Sequence, residues 1–433
     1  MKVKLLKSTP DINTLAAILS CRSSKSSYEI LRELKKLNEK DLEKRKKLVF
    51  QKSLGKAHGA VGDKSFFDFS ISEIPRLATL FLCLPEYLGH LQQSLRVVEV
   101  SEGNFYIPEI VKGSSEFNEL LRDSSNFYHK MVNSGVPRED ARYILPLFTL
   151  TNIDTHSNAR ELSHLLLMSK DEFVPEVIKG LIKEIFRQLE PYYIFEDMGY
   201  NFQQVSFFPS ARLFYSDKGF INNFIWKTNE PVLMGSCNAS LLDRDLLKEV
   251  ILEENESAIS ILKHVHFEFV IPMSLASFHQ AIRQRTWNHS VQSIFSAANL
   301  GKIMIPPKVK KMGFQSEFKE IFFKLMNFYW EYNETLKKDI IGIVPHALMI
   351  SDFVHINAWN AIHGIGIRTC PKAQWEIRKK AWEMAEIIKS VCPLFGEWLG
   401  PRCLSYGNCP EGERCKLFKI MLEKRKNIEK SPF

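Results

Sequence analysis

Alternation of apolar and polar residues predicts two short strands that lie far apart in the chain. Every second residue of the segment 67–71 is Phe or Ile, and the segment 267–271 repeats the pattern. A period of two is typical of a strand with one buried face. We therefore expect a related strand in each half of the chain.

Two other segments carry helical patterns. Apolar residues at spacings of four and three predict an amphipathic helix, and Pro371 suits its first turn. These apolar residues are Ile377, Ala381, Met384, Ile388 and Val391. The segment 27–48 is rich in helix formers, and its run of charges predicts a solvated face. Strands and helices together indicate a mixed α and β fold.

An internal repeat relates the two halves. Ser94, Pro146 and Asn158 each recur 199 residues later, as Ser293, Pro345 and Asn357. A period of that length indicates a duplicated domain. We place copy one at residues 1–190 and copy two at residues 222–400. An aromatic-rich, packed segment at 191–221 joins them, and residues 401–433 form a cysteine-containing tail.

Size and charge narrow the classes of partner. The chain has 433 residues, 45% of them hydrophobic, which is enough to bury two cores. Its net charge of +8 is spread among 50 acidic residues, so a phosphorylated small molecule accounts for the excess as well as nucleic acid does. Because no stretch approaches the roughly 20 apolar residues of a membrane span, we expect a cytoplasmic protein without a membrane partner. The basic residues form no long tail, and we expect no nucleic-acid partner.

Two polar segments of copy two are candidates for chemistry. The triplet Arg-Gln-Arg at 283–285 is followed seven residues later by Ser293, and Arg368 shortly precedes the stretch Ala-Gln-Trp-Glu-Ile-Arg at 373–378. Taken alone, the first segment is compatible with a surface helix, and the second with helix capping and surface ion pairs.

Together these segments resemble the signatures of the flavin-dependent thymidylate synthases. That family carries Arg-His-Arg, seven residues and then Ser, and later Leu-Arg, a few residues and Ala-Gln-Trp-Glu-Ile-Arg. The segment 260–264 is similar to the family's Ser-Val-Leu-Glu-His, and copy one matches family patterns at 140–146 and 158–162. The resemblance covers nearly the whole chain, twice. It implies an α+β protein with two tandem domains, each an antiparallel sheet with packed helices.

The two copies depart from the family pattern in complementary places. Copy one has Leu-Pro-Glu at 84–86 where Arg-His-Arg belongs. Copy two has apolar residues at three arginine positions of the family, and copy one keeps all three. The apolar residues are Phe295, Ile341 and Trp359, and the arginines that copy one keeps are Arg96, Arg142 and Arg160. One composite site for each pair of copies is therefore expected.

By resemblance, this composite site draws on both copies. Arg368 is the catalytic residue that faces the pyrimidine. Substrate contacts fall on Gln280, Arg283, Ser94, Arg96 and Arg142. Cofactor contacts fall on His264, Arg283, Gln284, Arg285, Asn158 and Arg160. Gln284 replaces the central His of the family triplet.

The resemblance also implies the reaction. It predicts conversion of dUMP to dTMP with FAD, NADPH and methylenetetrahydrofolate, in a homodimer that forms a pseudo-tetramer of domains. Two alternatives stay open: the same chemistry on another uracil nucleotide or nucleoside, and a non-catalytic nucleotide-binding paralogue.

The last four cysteines form a separate feature. Cys392, Cys403, Cys409 and Cys415 lack the paired spacing of common zinc sites. We assign no metal to the chain, and keep metal binding by this group as the alternative.

Overall fold

The chain divides into two compact units. A computed structural model describes residues 1–53, 58–195, 211–218, 229–332, 334–409, 411 and 415–430. Unit 1 comprises Met1–Ser210 and Pro307–Pro345, and unit 2 comprises Ala211–Pro306 and His346–Phe433. The units therefore differ from the two sequence copies, because residues 307–345 of copy two lie in unit 1.

Unit 1 contains a four-stranded antiparallel sheet of order β1-β2-β4-β3. Its strands are β1 Lys2–Ser8, β2 Phe66–Pro75, β3 Gly89–Gln92 and β4 Leu150–Asn158. The helices of its first segment are α1 Asp11–Ser20, α2 Ser27–Leu34, α3 Glu39–Ser53, α4 Arg76–Leu82, α5 Ser115–Asn133, α6 Arg138–Ala141, α7 Ala159–Ser169 and α8 Glu176–Arg187. Phe67, Phe69 and Ile71 are almost fully buried on one face of β2, as the alternation predicts.

Unit 2 contains a second antiparallel sheet with the equivalent order β5-β6-β8-β7. Its strands are β5 Val232–Cys237, β6 His266–Ser274, β7 Asn288–Val291 and β8 Met349–Asn357. Helices α9 to α12 are Arg244–Ile251, Glu256–Leu262, Leu275–Ala281 and Ile294–Leu300. Helices α13 to α15, which belong to unit 1, are Pro307–Lys311, Gln315–Glu331 and Glu334–Ile340. Helices α16 to α20, again in unit 2, are Ala358–Arg368, Trp375–Val391, Pro393–Gly396, Arg402–Ser405 and Lys416–Lys430.

The predicted strands and the α+β class of two related domains, each with an antiparallel sheet and packed helices, are confirmed. None of the described helices is long and apolar enough to cross a bilayer. The predicted segment 191–221 lies mostly outside the described residues, as do its aromatic residues Phe207 and Phe208. The copy boundaries stay a prediction.

Two helix predictions need correction. The segment 27–48 is not one helix, because α2 ends at Leu34 and the side chain of Asn38 accepts a hydrogen bond from the backbone N–H of Asp41 (2.9 Å) at the start of α3. Pro371 lies before α17 and not in its first turn. Gln374 caps that helix, and its Oε1 accepts from the backbone N–H groups of Glu376 and Ile377.

Helices from both copies form part of the core of unit 1. Helix α14 packs on α5 through aromatic side chains: the ring centroids of Phe117 and Phe328 are 5.5 Å apart, and those of Phe127 and Phe318 are 6.2 Å apart. These four side chains are buried. Apolar burial of this kind is the main favourable contribution to folding, so the stability of unit 1 depends on residues of both copies.

The contact between Gly342 and Phe148 gives a test of this packing. The backbone N–H of Phe148 donates to the carbonyl oxygen of Gly342 (2.7 Å), and a Cβ at position 342 would lie 2.3 Å from the Phe148 ring. We expect Gly342→Ala to lower the free energy of unfolding by about 1–3 kcal/mol, because a packed ring must move. Urea denaturation measures the effect. Gly235→Ala is the control, since its new Cβ would meet its nearest neighbour at 3.5 Å. Equal stability of the two variants would contradict the prediction.

Candidate functional site

In unit 2 the structure brings Arg368 together with two predicted site residues. Arg368 ends α16, and its Nη2 donates to the backbone oxygen of Gln280 (2.8 Å). When the side-chain amide of Gln284 is oriented with its oxygen towards the guanidinium, Oε1 accepts from Nε (3.0 Å) and Nη2 (2.8 Å) of Arg368. Gln284 is buried. Two neutral acceptors therefore help to fix the position of the Arg368 guanidinium.

The other predicted residues of this region are exposed. Arg283 and Arg285 lie on either side of buried Gln284, in the turn between α11 and β7, and His264 follows α10. The segment that carries them is thus a short helix, a turn and a strand, and not the surface helix considered above. Two exposed guanidinium groups separated by one residue suit an extended anionic ligand such as the diphosphate of a dinucleotide.

The motif at 373–378 contacts the residue that precedes α11. The carboxylate of Glu376 on α17 is buried, and it accepts from the backbone N–H of Ser274 (2.7 Å) and from its Oγ (2.5 Å). Ser274 Oγ in turn caps α11 by accepting from the N–H of Ser277 (3.1 Å). The start of α11, the helix that leads to the predicted triplet, is therefore held by a buried charged acceptor.

Sequence reasoning missed a buried pair beside the triplet. His289 Nδ1 lies 2.7 Å from Oδ2 of Asp352, whose side chain is fully buried, and His289 Nε2 lies 3.3 Å from the backbone oxygen of Gln284. The pair links β7 and β8 to the turn that carries Gln284. Asp352 lies on β8, and no motif singles it out.

In unit 1 two predicted substrate residues, Arg96 and Arg142, contact Glu139, and a third, Ser94, contacts Arg96. Arg96 Nε donates to the Glu139 carboxylate (2.5 Å), and Nε of buried Arg142 donates to the Glu139 backbone oxygen (3.2 Å). The Oγ of Ser94 accepts from the backbone N–H of Arg96 (3.2 Å). Because these residues belong to unit 1 and Arg368 belongs to unit 2, the composite site stays a prediction.

Asn158 and Arg160 have contacts of their own. The side-chain oxygen of Asn158 caps α7 by accepting from the N–H of Glu161 (2.8 Å), and Asn357 caps α16 in the same way. Arg160 Nη1 lies 3.1 Å from the Asp63 carboxylate. The repeated Asn thus has a structural role in both copies, and the predicted flavin contacts of Asn158 and Arg160 stay predictions.

Arg76 is a second residue that sequence reasoning missed. It begins α4 in unit 1, it is buried, and its Nη2 donates to the backbone oxygen of Gln93 (3.0 Å), next to Ser94. The repeat contains the signal that could have found it. The residue 199 positions later is Leu275, so an arginine of copy one again has an apolar residue at the equivalent position of copy two.

The cysteines group differently from the expectation. Cys370, Cys403, Cys409 and Cys415 line a cavity of about 90 Å³, whereas Cys392 lies near the backbone oxygen of Ala239. Burial, followed by the neighbouring thiols, raises the pKa of Cys403. Within the described residues, no group of three or more His, Cys, Asp and Glu side chains is arranged to hold a metal ion.

The model of one protein family matches the chain twice. The family is described as "Thymidylate synthase complementing protein", and the matches cover residues 4–193 and 209–394. The chain belongs to this family. The two matches also agree with the tandem arrangement inferred from the repeat.

Relatives within the thymidylate synthase complementing protein family carry a common name. A "Flavin-dependent thymidylate synthase" of Thermococcus onnurineus is 37% identical over 171 residues, which are 36% of this chain and 68% of that protein. Proteins of the same name from Pyrococcus furiosus and Geobacter sulfurreducens are each 32% identical, with 35% of this chain and 68% of each relative covered.

Solved structures of two related proteins also match. Thymidylate Synthase X of Helicobacter pylori, solved with FAD and dUMP, is 18% identical with a TM-score of 0.39, covering 46% of this chain and 99% of that chain. The UMP/dUMP methylase PolB of Streptomyces cacaoi, bound with 5-Br dUMP, is 17% identical with a TM-score of 0.38, covering 47% of this chain and 94% of that chain.

The buried contact of Glu376 can be tested by its removal. We expect Glu376→Ala to lower the free energy of unfolding by about 2–4 kcal/mol, since the buried N–H of Ser274 loses a charged acceptor. Urea denaturation of this variant and of Glu386→Ala, an exposed residue of the same helix, measures the difference. If the two variants unfold at the same urea concentration, Glu376 does not hold α11 in place.

Proposed function

We propose that this chain is an FAD-dependent thymidylate synthase that converts dUMP to dTMP with methylenetetrahydrofolate and NADPH. The single observation that carries the proposal is the double match to the family, with relatives named flavin-dependent thymidylate synthases. The Arg368 cluster in unit 2 supports it, because the backbone oxygen of Gln280 and the side chain of Gln284 hold the guanidinium in place.

The residues of unit 2 fit a flavin dinucleotide. Exposed Arg283 and Arg285 offer paired donors to the diphosphate, with Gln284 between them and His264 as a further polar contact. When bound, the cofactors supply the redox and one-carbon chemistry of the reaction. Gln284 is already engaged with Arg368, so in this chain the central position of the triplet orients the catalytic arginine.

Arg368 would act on the substrate by electrostatics. Methyl transfer to C5 of uracil needs electron density at that carbon, and negative charge then develops on N3 and the carbonyl oxygens of the ring. A guanidinium that is fixed in advance stabilises this charge without reorganisation. Ser94, Arg96 and Arg142 would hold the nucleotide, and Ser94 is a binding residue. We propose a homodimer, in which two chains provide four domains.

Two other functions compete with this one. The same chemistry on another uracil nucleotide or nucleoside is supported by the divided set of arginines, which leaves Phe295 and Ile341 in copy two. A non-catalytic nucleotide-binding paralogue is supported by the replacement of the family's central His by Gln284. Turnover assays with dUMP, UMP and deoxyuridine separate the three.

The first experiment combines flavin content with turnover. We expect the purified protein to show flavin absorption and to form dTMP. Arg368→Ala should keep its flavin but should lose turnover, with a loss of about 3 kcal/mol in transition-state stabilisation. Arg122→Ala, on an exposed part of α5, is the control for a lost charge. A colourless protein that takes up no added FAD rules out both enzyme functions, and loss of flavin in Arg368→Ala contradicts the role given to Arg368.

The composite site needs its own test. We expect Arg142→Ala and Arg283→Ala each to reduce kcat/KM. The loss of transition-state stabilisation should be about a few kcal/mol, as for removal of one fixed electrostatic donor. Ile341→Arg should not rescue Arg142→Ala, because copy one has Leu-Pro-Glu at 84–86 in place of the flavin-binding triplet. Full activity of Arg142→Ala would show that copy one only supports the fold.

A further inference from the structure

Arg76 is a buried cation whose hydrogen bonds are incomplete. Its side chain is 5% exposed, and Nη2 donates to the backbone oxygen of Gln93. Its Nε is buried and has no hydrogen-bond partner among the described residues. A guanidinium presents five N–H donors, and a buried donor without a hydrogen bond destabilises the fold. A structural role alone would be expected to satisfy that donor.

The charges around Arg76 are also unbalanced. Burial, and then the like charge of Arg142, lower the pKa of Arg76 to about 9, and only the Cys83 thiol acts in the other direction. Because this pKa lies below that of an unfolded chain, the charged form destabilises the fold at neutral pH, and the cost falls only as the pH rises above about 9. A bound anion between the two guanidinium groups would remove this cost.

Comparison of the two copies groups Arg76 with the predicted substrate residues. The backbone N–H of Arg76 donates to Thr149, and that of Leu275 donates to Leu348, so the two residues occupy equivalent places in their sheets. Leu275 is fully buried. Arg76, Arg96 and Arg142 of copy one are therefore equivalent to apolar residues of copy two. The residues 199 positions later are Leu275, Phe295 and Ile341. Exposed Arg122 also has an apolar counterpart, Ile321, so replacement alone does not mark a ligand contact. Arg76 differs from Arg122 because it is buried and contacts the residue next to Ser94.

We propose that Arg76 is a further phosphate-binding residue of the copy-one half-site, where it donates from Nε to a nucleoside monophosphate whose dianion Arg142 also contacts. The Gln93 carbonyl holds Nη2 beside Ser94, and Nε is left as a donor without a partner among the described residues. This inference rests on the proposed function, since it assigns the phosphate end of the proposed substrate.

Paired ligands that differ only in the phosphate test the proposal. Calorimetry on the flavin-loaded protein would measure the Kd of dUMP and of 2′-deoxyuridine. We expect Arg76→Leu, which introduces the residue of copy two, to weaken dUMP binding roughly ten- to hundredfold and to leave deoxyuridine unchanged. Arg76→Lys should keep most of the preference for dUMP because it keeps the charge, and Arg122→Leu should behave as the parent.

The other outcomes separate this inference from the proposed function. Equal weakening of dUMP and deoxyuridine, or unchanged dUMP binding, overturns the role of Arg76 and leaves the function standing. If Arg76→Leu does not fold, Arg76→Gln takes its place in the same comparison with Arg76→Lys. If the parent binds no dUMP, the proposed function fails. Thermal stabilisation by inorganic phosphate then decides: an effect on the parent that the neutral variant lacks supports the anion site, and an equal effect or none overturns it.

Discussion

The arrangement of unit 2 depends on one buried carboxylate. Glu376 lies on α17 and accepts two hydrogen bonds from Ser274, the residue where β6 ends and α11 begins. A buried carboxylate is costly unless its acceptors are used, so this contact restricts where α11 can lie on α17. The position of α11 in turn affects Arg368, because Arg368 donates to the backbone oxygen of Gln280 on that helix. The Ala-Gln-Trp-Glu-Ile-Arg stretch thus contributes to the site indirectly. Its Glu376 holds α11, and α11 provides the backbone acceptor for Arg368.

In unit 1 two of the buried charged residues are arginines, and the charge of Arg142 acts against that of Arg76. Arg96 and Arg142 share Glu139, and no carboxylate of the described residues is among the groups that shift the pKa of Arg76. Two copies of a domain that both kept such a set would both carry its cost. In copy two the equivalent positions are apolar and at least 93% buried, which stabilises the fold without any ligand. The proposed nucleotide would offset this cost in copy one, whereas the apolar residues of copy two need no such ligand.

The sequence was informative where structure is local. Alternation in 67–71 and 267–271 located β2 and β6, and the spacing of apolar residues located α17. It was less informative where a single side chain sets a boundary, as Asn38 and Gln374 do for α3 and α17. Long-range facts were outside its reach. Nothing in residues 307–345 indicates that this part of copy two lies in unit 1, because the apolar faces of α5 and α14 specify burial and not a partner.

Residues retained in both copies and residues retained in one copy now have different explanations. Asn158 and Asn357 both cap helices, Ser94 and Ser293 both accept from the N–H two residues later, and Pro146 pairs with Pro345 in unit 1. These repeated contacts belong to the backbone, so each copy needs them in order to fold. Arg76 and Arg142 also donate to backbone oxygens, but only copy one has arginines at these positions. A duplicated chain therefore provides a comparison of its own: identity between copies marks contacts that both copies need in order to fold, and a buried charge kept in one copy alone calls for another explanation. On this ground Arg76 is grouped with Arg96 and Arg142, and Ser94 combines a backbone contact with its proposed role in binding the nucleotide.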